Sequence, residues 1–173
     1  MKLDQIVTER RKEQRGTYAG LRFSKESLAK IEAYLKQNHL PNATRPSKLH
    51  VTLLYSRIPC DDYEAPGKLK TPYVCKVDGF EIFKTSSPDP SKEGWNALVA
   101  RLDCPELIAR HKLLMEEYGA TYDFDEYIPH FTLSYNIEDL DWKSLPKFSG
   151  TLELDFEYSE ELDLDWAAKE GTK

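Results

Sequence analysis

The chain is poor in the features that stapled, exported or membrane-bound proteins depend on. Among 173 residues there are only three cysteines, four histidines and eight glycines. Cys60, Cys75 and Cys104 form no C-x-x-C pair and are odd in number, which suits reduced, buried thiols better than a disulfide framework or a thiolate metal site. No uncharged apolar run approaches the roughly 20 residues that cross a bilayer, so no membrane partner is expected. The first residues, MKLDQIVTERRKEQRG, place charges where a secretory leader needs an apolar segment, and the expected compartment is the cytoplasm.

What is present describes one globular domain. The composition is 40% hydrophobic and 31% charged, apolar enough for a core without staples. The net charge of -6 argues against a partner that is a long nucleic acid. It leaves room for a small nucleotide held in a local basic pocket. Acid is concentrated late in the chain, with seven acidic and no basic residues between 151 and 165.

Residues 1–15 read as an N-terminal arm or short helix, residues 16–160 as the domain, and residues 161–173 as an acidic segment and tail. GTYAGLRFS begins the domain as a strand, and Ser24 stands as the N-cap of an amphipathic helix carrying Leu28, Ile31 and Leu35 on one face. KLHVTLLYS follows as a second strand. A connection with Pro59, Pro66 and Pro72 leads to YVCKVDGFEIF, a strand expected to bend near Gly79, and then to a loop with Pro88 and Pro90. WNALVARL reads as a strand. Pro105 then opens a second helix that Gly119 stops, and HFTLSY is another short strand. TLELDFEYS alternates apolar and acidic residues at the strand period.

Strand, helix and HVTL in the first half thus recur as strand, helix and HFTL in the second. Tyr18 precedes His50 by 32 positions and Trp95 precedes His130 by 35. The expected fold is α+β: two pseudo-symmetric strand-helix-strand units, as a pair of small sheets around a central cleft.

The two His-x-Thr segments carry the chemistry. Residues i and i+2 of a strand face the same side, so His50 points with Thr52 and His130 with Thr132, while Val51 and Phe131 enter the core. Paired imidazoles can divide proton transfer at a phosphodiester: one takes the proton of the attacking hydroxyl or water, and the other protonates the leaving oxygen. The two hydroxyls can hydrogen-bond non-bridging oxygens as charge grows there. No metal or other cofactor is required, and neither motif brings a regular third ligand. Lys48, on the His50 face of the same strand, and Arg45 in the preceding loop are candidate substrate-binding cations or else solvated surface. Tyr55 and Tyr135 face away from Thr52 and Thr132 if the strands stay regular. His39 and His111, in helical contexts without a Thr partner, read as core, surface or capping residues.

HVTL and HFTL resemble the paired signature of the 2H phosphoesterase superfamily. The wider pattern of GTYAGLRFS, KLHVTLLYS and IPHFTLSY is similar to the phage anti-CBASS nuclease family, from about Gly16 through residue 160. The resemblance implies a bilobal 2H fold and metal-independent cleavage of 3′–5′ linkages in cyclic di- and trinucleotides made by a bacterial defence system, in the cytoplasm of the infected host. It assigns His50, Thr52, His130 and Thr132 to a catalytic tetrad. It also makes Tyr18 a candidate to stack on a base or contact a phosphate, and Trp95 a candidate for base stacking; ordinary strand packing is the alternative for both. Glu157 and Glu161 are candidates for a late carboxylate that reads a base edge or orients an imidazole. The alternatives in function are an RNA 2′,3′-cyclic phosphodiesterase or RNA-end processing enzyme, and a non-catalytic nucleotide-binding protein.

Overall fold

A computed structural model of the chain describes residues 15–85 and 94–163. The expected arm at 1–14, the loop with Pro88 and Pro90, and the tail after Asp163 lie outside the described residues.

Strand β1 (Arg15–Phe23) ends at Ser24, whose Oγ accepts from the Ser27 amide at 3.2 Å and caps helix α1 (Lys25–Gln37). Ile31, Tyr34 and Leu35 form the buried stripe of that helix. A 3₁₀ turn (Pro46–Lys48) delivers the chain into β2 (Val51–Ser56). Strand β3 (Gly67–Thr85) starts earlier than the prolines led us to expect. Pro72 lies where the ladder to the neighbouring strand is interrupted between Lys68 and Tyr73, so its missing N–H breaks no pairing there. Near Gly79 the expected irregularity is present as a register shift. β4 (Trp95–Asp103) leads through Pro105 into α2 (Pro105–Tyr118), which stops at Gly119 in the left-handed region, φ 62°. β5 (His130–Ser134) and β6 (Thr151–Asp163) complete the order, so the acidic segment expected to begin the tail is still strand at its start.

The strands form one six-stranded antiparallel sheet in the order β2-β1-β6-β3-β4-β5, where two small sheets were expected. The cause is the length of β6. Its first residues pair with β3 and its later ones with β1, which joins the two sets of strands. Acid on β6 is matched by cations on its neighbours: Lys68 meets Asp155 at 2.6 Å and Arg15 meets Glu161 at 2.6 Å.

One face of the sheet carries the core. Ala19, Leu21, Val51, Leu53, Leu98, Ala100, Phe131, Leu133, Leu152 and Leu154 form a single buried cluster with Ile31, Leu35, Leu107 and Leu114 of the helices. Each of the larger side chains, Val, Leu, Ile and Phe, contributes about 1.5–3 kcal/mol on leaving water. Cys60, Cys75 and Cys104 are buried and unbridged. Among the described residues no helix is long and apolar enough to cross a membrane.

Candidate active site

His50 and His130 are held in the same way. The Nδ1 of His50 lies 2.8 Å from the Lys48 carbonyl oxygen, and that of His130 lies 2.8 Å from the Ile128 carbonyl oxygen. A carbonyl can only accept, so each Nδ1 carries a proton and donates it. This fixes both ring orientations and leaves Nε2 as the free nitrogen of each imidazole. Val51 and Phe131 are buried in the core, so the intervening positions put His50 with Thr52, and His130 with Thr132, on the opposite face.

A β-bulge follows each motif. Gly20 pairs with Thr52 but Ala19 with Leu54, and Val99 pairs with Thr132 but Leu98 with Ser134. The extra residues are Leu53 and Leu133, the leucines of the two His-x-Thr-Leu segments. One consequence corrects the expectation for Tyr55: because the strand is not regular, Tyr55 lies directly opposite Tyr18 and shares its face.

The bulged carbonyls are satisfied from outside the ladder. Tyr127 Oη donates to the Thr52 oxygen at 2.7 Å, and buried His111 Nδ1 donates to the Leu53 oxygen at 2.7 Å. The rings of His111 and Tyr127 stack at 4.1 Å. Burial lowers the His111 pKa, which the bond to Leu53 partly offsets, so this histidine is a structural group of α2. On β5, Thr44 Oγ1 donates to the Thr132 oxygen at 2.7 Å and its amide to the Leu133 oxygen at 3.0 Å. Ser134 Oγ donates to the Pro41 oxygen at 2.6 Å. The segments leading into each histidine therefore grip the strand that carries the other, drawing together the two edge strands of the sheet.

Tyr18 and Thr52 join their hydroxyls at 2.9 Å, and the Tyr18 ring meets His50 edge-on with centroids 6.3 Å apart. Burial raises the Tyr18 pKa far above the usual phenol range, so its hydroxyl remains protonated. The Tyr158 ring lies across Gly20, where an added Cβ would come within 2.6 Å of its hydroxyl, and stands 6.1 Å from Tyr18. Beside the second motif, Phe83 meets His130 edge-on at 5.1 Å.

Of the other sequence candidates, Trp95 starts β4 and by alternation shares the face of Val99 and Arg101, which pair with Thr132 and His130. Lys48 belongs to the 3₁₀ turn and not to the strand; its carbonyl, not its ammonium, meets His50. Arg45 precedes that turn and is exposed. Glu157 is placed apart from the motifs. It is fully buried on the helical face of β6, where Arg110 binds it through Nε at 3.2 Å and Nη2 at 2.9 Å, and Tyr63 donates to it at 2.7 Å. Glu161 pairs with Arg15. The acid of this region that shares the Tyr18 face is Glu160, its direct cross-strand partner. Sequence spacing missed it because a bulge beside Asp155 changes the alternation within β6.

A cavity of about 570 Å³ lined by Arg15, Thr17, Cys60, Tyr63, Glu160 and Glu161 contains none of the motif residues. Among the described residues no three or more His, Cys, Asp or Glu side chains converge as a metal site.

Comparison with known proteins gives a family. The model described as Anti-CBASS protein Acb1 matches residues 15–169. The chain is 37% identical over 157 residues to the Anti-CBASS protein Acb1 of Vibrio phage KVP40, covering 90% of this chain and 93% of that protein. It is 35% identical to the protein of the same description from Enterobacteria phage T4, covering 88% and 91%, and 33% identical to that of Salmonella phage S16, covering 87% and 91%. The matched span contains both strand-helix-His-x-Thr units and β6, and the chain belongs to the Acb1 family of anti-CBASS proteins.

Proposed function

We propose that this protein is a metal-independent 2H-type phosphodiesterase that opens 3′–5′ linkages of cyclic di- and trinucleotides. The observation that carries the reading is the shared orientation of the two imidazoles, each with Nδ1 tied to a backbone carbonyl and Nε2 free. One Nε2, neutral, takes the proton of the ribose 2′-hydroxyl as the O2′–P bond forms. The other, protonated, gives its proton to O5′ as the P–O5′ bond breaks. The ring opens to a chain with a 2′,3′-cyclic phosphate at one end and a 5′-hydroxyl at the other. Thr52 and Thr132 donate to the non-bridging oxygens, and Tyr18 holds the Thr52 hydroxyl in place.

The catalytic tetrad is His50, Thr52, His130 and Thr132. Tyr18 and Trp95 stack on bases, and Glu160 takes the base-edge role expected of the late carboxylate. The reading includes two lobes with the substrate in the cleft between them. The strand order supports it, since β2-β1-β6 is matched by β5-β4-β3 about the centre of the sheet. Relatives in phages described as anti-CBASS proteins support action in the cytoplasm of an infected bacterium, where destroying a cyclic nucleotide signal deprives the defence of its activator.

The test is incubation of purified protein with a panel of cyclic di- and trinucleotides in excess chelator, beside His50→Ala and His130→Ala. Linear products that disappear in both variants support the reading. Tight binding without turnover moves the function to sequestration, and cleavage confined to 2′,3′-cyclic ends of linear RNA moves it to RNA-end processing. With two imidazoles in opposite protonation states, kcat/KM follows a bell-shaped pH profile; a monotonic profile contradicts the assignment.

A further inference from the structure

Each histidine faces an arginine across the sheet. On β4, Arg101 is the direct antiparallel partner of His130. On β1, Gly20 pairs with Thr52 and Leu21 with Val51, so the next step of the ladder sets Arg22 opposite His50. Directly opposed residues share a face, with Cβ atoms about 4.5–5.5 Å apart. The arginines therefore stand at matching positions, in GLRF and VARL, beside the two groups assigned to proton transfer.

The guanidinium groups are held but not saturated. Arg22 lies over the Tyr158 ring, 4.7 Å from its centroid, and donates one long bond, 3.4 Å, from Nη1 to the Ser47 oxygen. Stacking fixes the plane of the fork and leaves its other N–H groups for a ligand. Arg101 lies across Gly79, where an added Cβ would stand 2.5 Å from Nη2, so the absence of a side chain there makes room for it. Asp78 Oδ1 comes only to 3.5 Å of Arg101 Nε, and that buried nitrogen has no hydrogen-bond partner among the described residues. Arg101 is thus a half-exposed cation, opposite His130 in the ladder and with its guanidinium over β3, whose donors are not used up within the protein.

The geometry points to Arg22 and Arg101 as a paired phosphate clamp, one arginine opposite each histidine in the ladder, holding the phosphodiesters of the cyclic substrate. This rests on the phosphodiesterase reading, whose single cation is the imidazolium that gives up its proton in the step, and adds two fixed positive charges. The two threonines supply neutral donors only, whereas a cyclic nucleotide carries a negative charge on every linkage, in a protein whose net charge is -6. A planar fork matches two phosphate oxygens at once, which fixes orientation as well as charge. Arg22 has a further connection to its histidine. The Ser47 carbonyl that it contacts belongs to the 3₁₀ turn whose Lys48 carbonyl orients His50.

The test compares wild type with Arg22→Gln, Arg101→Gln and the corresponding Lys variants, using cyclic di-AMP and a cyclic trinucleotide as probes. Each Gln variant is expected to lose about ten- to hundredfold in kcat/KM, the scale of a hydrogen bond to a charged group, with its thermal midpoint unchanged. Binding of cyclic di-AMP in the His50→Ala/His130→Ala background should weaken in parallel, and each Gln change should flatten the salt dependence of binding. Lys variants should recover part of the salt dependence and less of the turnover, since they restore charge without the fork. Wild-type turnover together with Gln variants of unchanged kcat/KM, binding and salt dependence overturns the clamp and leaves the phosphodiesterase reading standing. Failure of wild type to cleave any cyclic or linear probe overturns the reading beneath it.

Discussion

Tyr127, three residues before His130, donates its hydroxyl to the backbone oxygen of Thr52 in the other motif at 2.7 Å. Thr44, ahead of His50, returns the relationship by donating to the Thr132 oxygen at 2.7 Å. These contacts connect the two edges of an open sheet, which the ladder itself does not join. They set the spacing of the two strands that carry the His-x-Thr motifs from buried donors in the segments that lead into them, so the geometry of the site depends on those connecting segments as well as on the ladder.

Removing either donor should therefore cost both stability and alignment. Tyr127→Phe leaves the Thr52 oxygen without that partner and is expected to destabilise by about 1–3 kcal/mol. Thr44→Val should act likewise on β5. In both, kcat should fall more than KM rises, because the histidines lose mutual position while substrate contacts remain. Urea unfolding with steady-state kinetics on the same variants checks this, and unchanged kcat with lowered stability would confine the bonds to folding.

The Tyr18 hydroxyl should matter for turnover and its ring for affinity. Tyr18→Phe keeps the ring and removes the partner of Thr52 Oγ1, with an expected loss of about 0.5–1.5 kcal/mol in kcat/KM, expressed in kcat. Tyr18→Ala should add a rise in KM. Equal kinetics for Tyr18→Phe and wild type would remove the hydroxyl from the mechanism.

The part of this site that was legible in sequence is the part governed by local rules. His-x-Thr spacing on a strand puts the pair on one face whatever the strand's neighbours, and Ser24 and Gly119 mark helix ends by their own chemistry. The single sheet was not legible, because it depends on which distant strands the two halves of β6 choose. Nor were the bulges at Leu53 and Leu133, which exist only relative to β1 and β4. That is why Tyr55, which faces away from Thr52 only if the strand stays regular, shares the face of Tyr18 instead. The repeat itself is visible, but Tyr18 and Trp95, which precede His50 and His130 by 32 and 35 positions, are out of register with each other, whereas Arg22 and Arg101 stand in line with the ladders.

Stability should decline on acidification through His111. Its folded-state pKa is lowered, chiefly by burial, so at neutral pH it is uncharged in both folded and unfolded chains and its contribution is fully present. Below the unfolded value of about 6.5 the unfolded chain takes up a proton that the folded one resists, and stability falls until pH passes below the folded pKa. His111→Asn should be less stable at pH 7.5 but show a shallower loss between pH 6.5 and 5, windows set by the ordinary histidine value of about 6.5. Urea midpoints across that range decide the point, and identical slopes for the two proteins would assign acid sensitivity to other groups.

Glu157 should prove to be a stability residue. Its carboxylate is fully buried and bound by Arg110 and Tyr63, on the face of β6 opposite Tyr158 and Glu160. Breaking such a pair from one side strands a charge in the core. Arg110→Met is expected to cost about 3–5 kcal/mol, and Tyr63→Phe, which removes one neutral donor, about 1–3 kcal/mol. Replacing the pair together, Arg110→Met with Glu157→Leu, should recover much of the first loss, because no unpaired charge is left behind. Folded protein of each variant should retain kcat/KM within about twofold, since surface and core changes away from bound substrate leave transition-state contacts intact. A Glu157→Gln variant with an unchanged urea midpoint and a large loss of affinity for cyclic di-AMP would reverse this assignment and return Glu157 to the substrate.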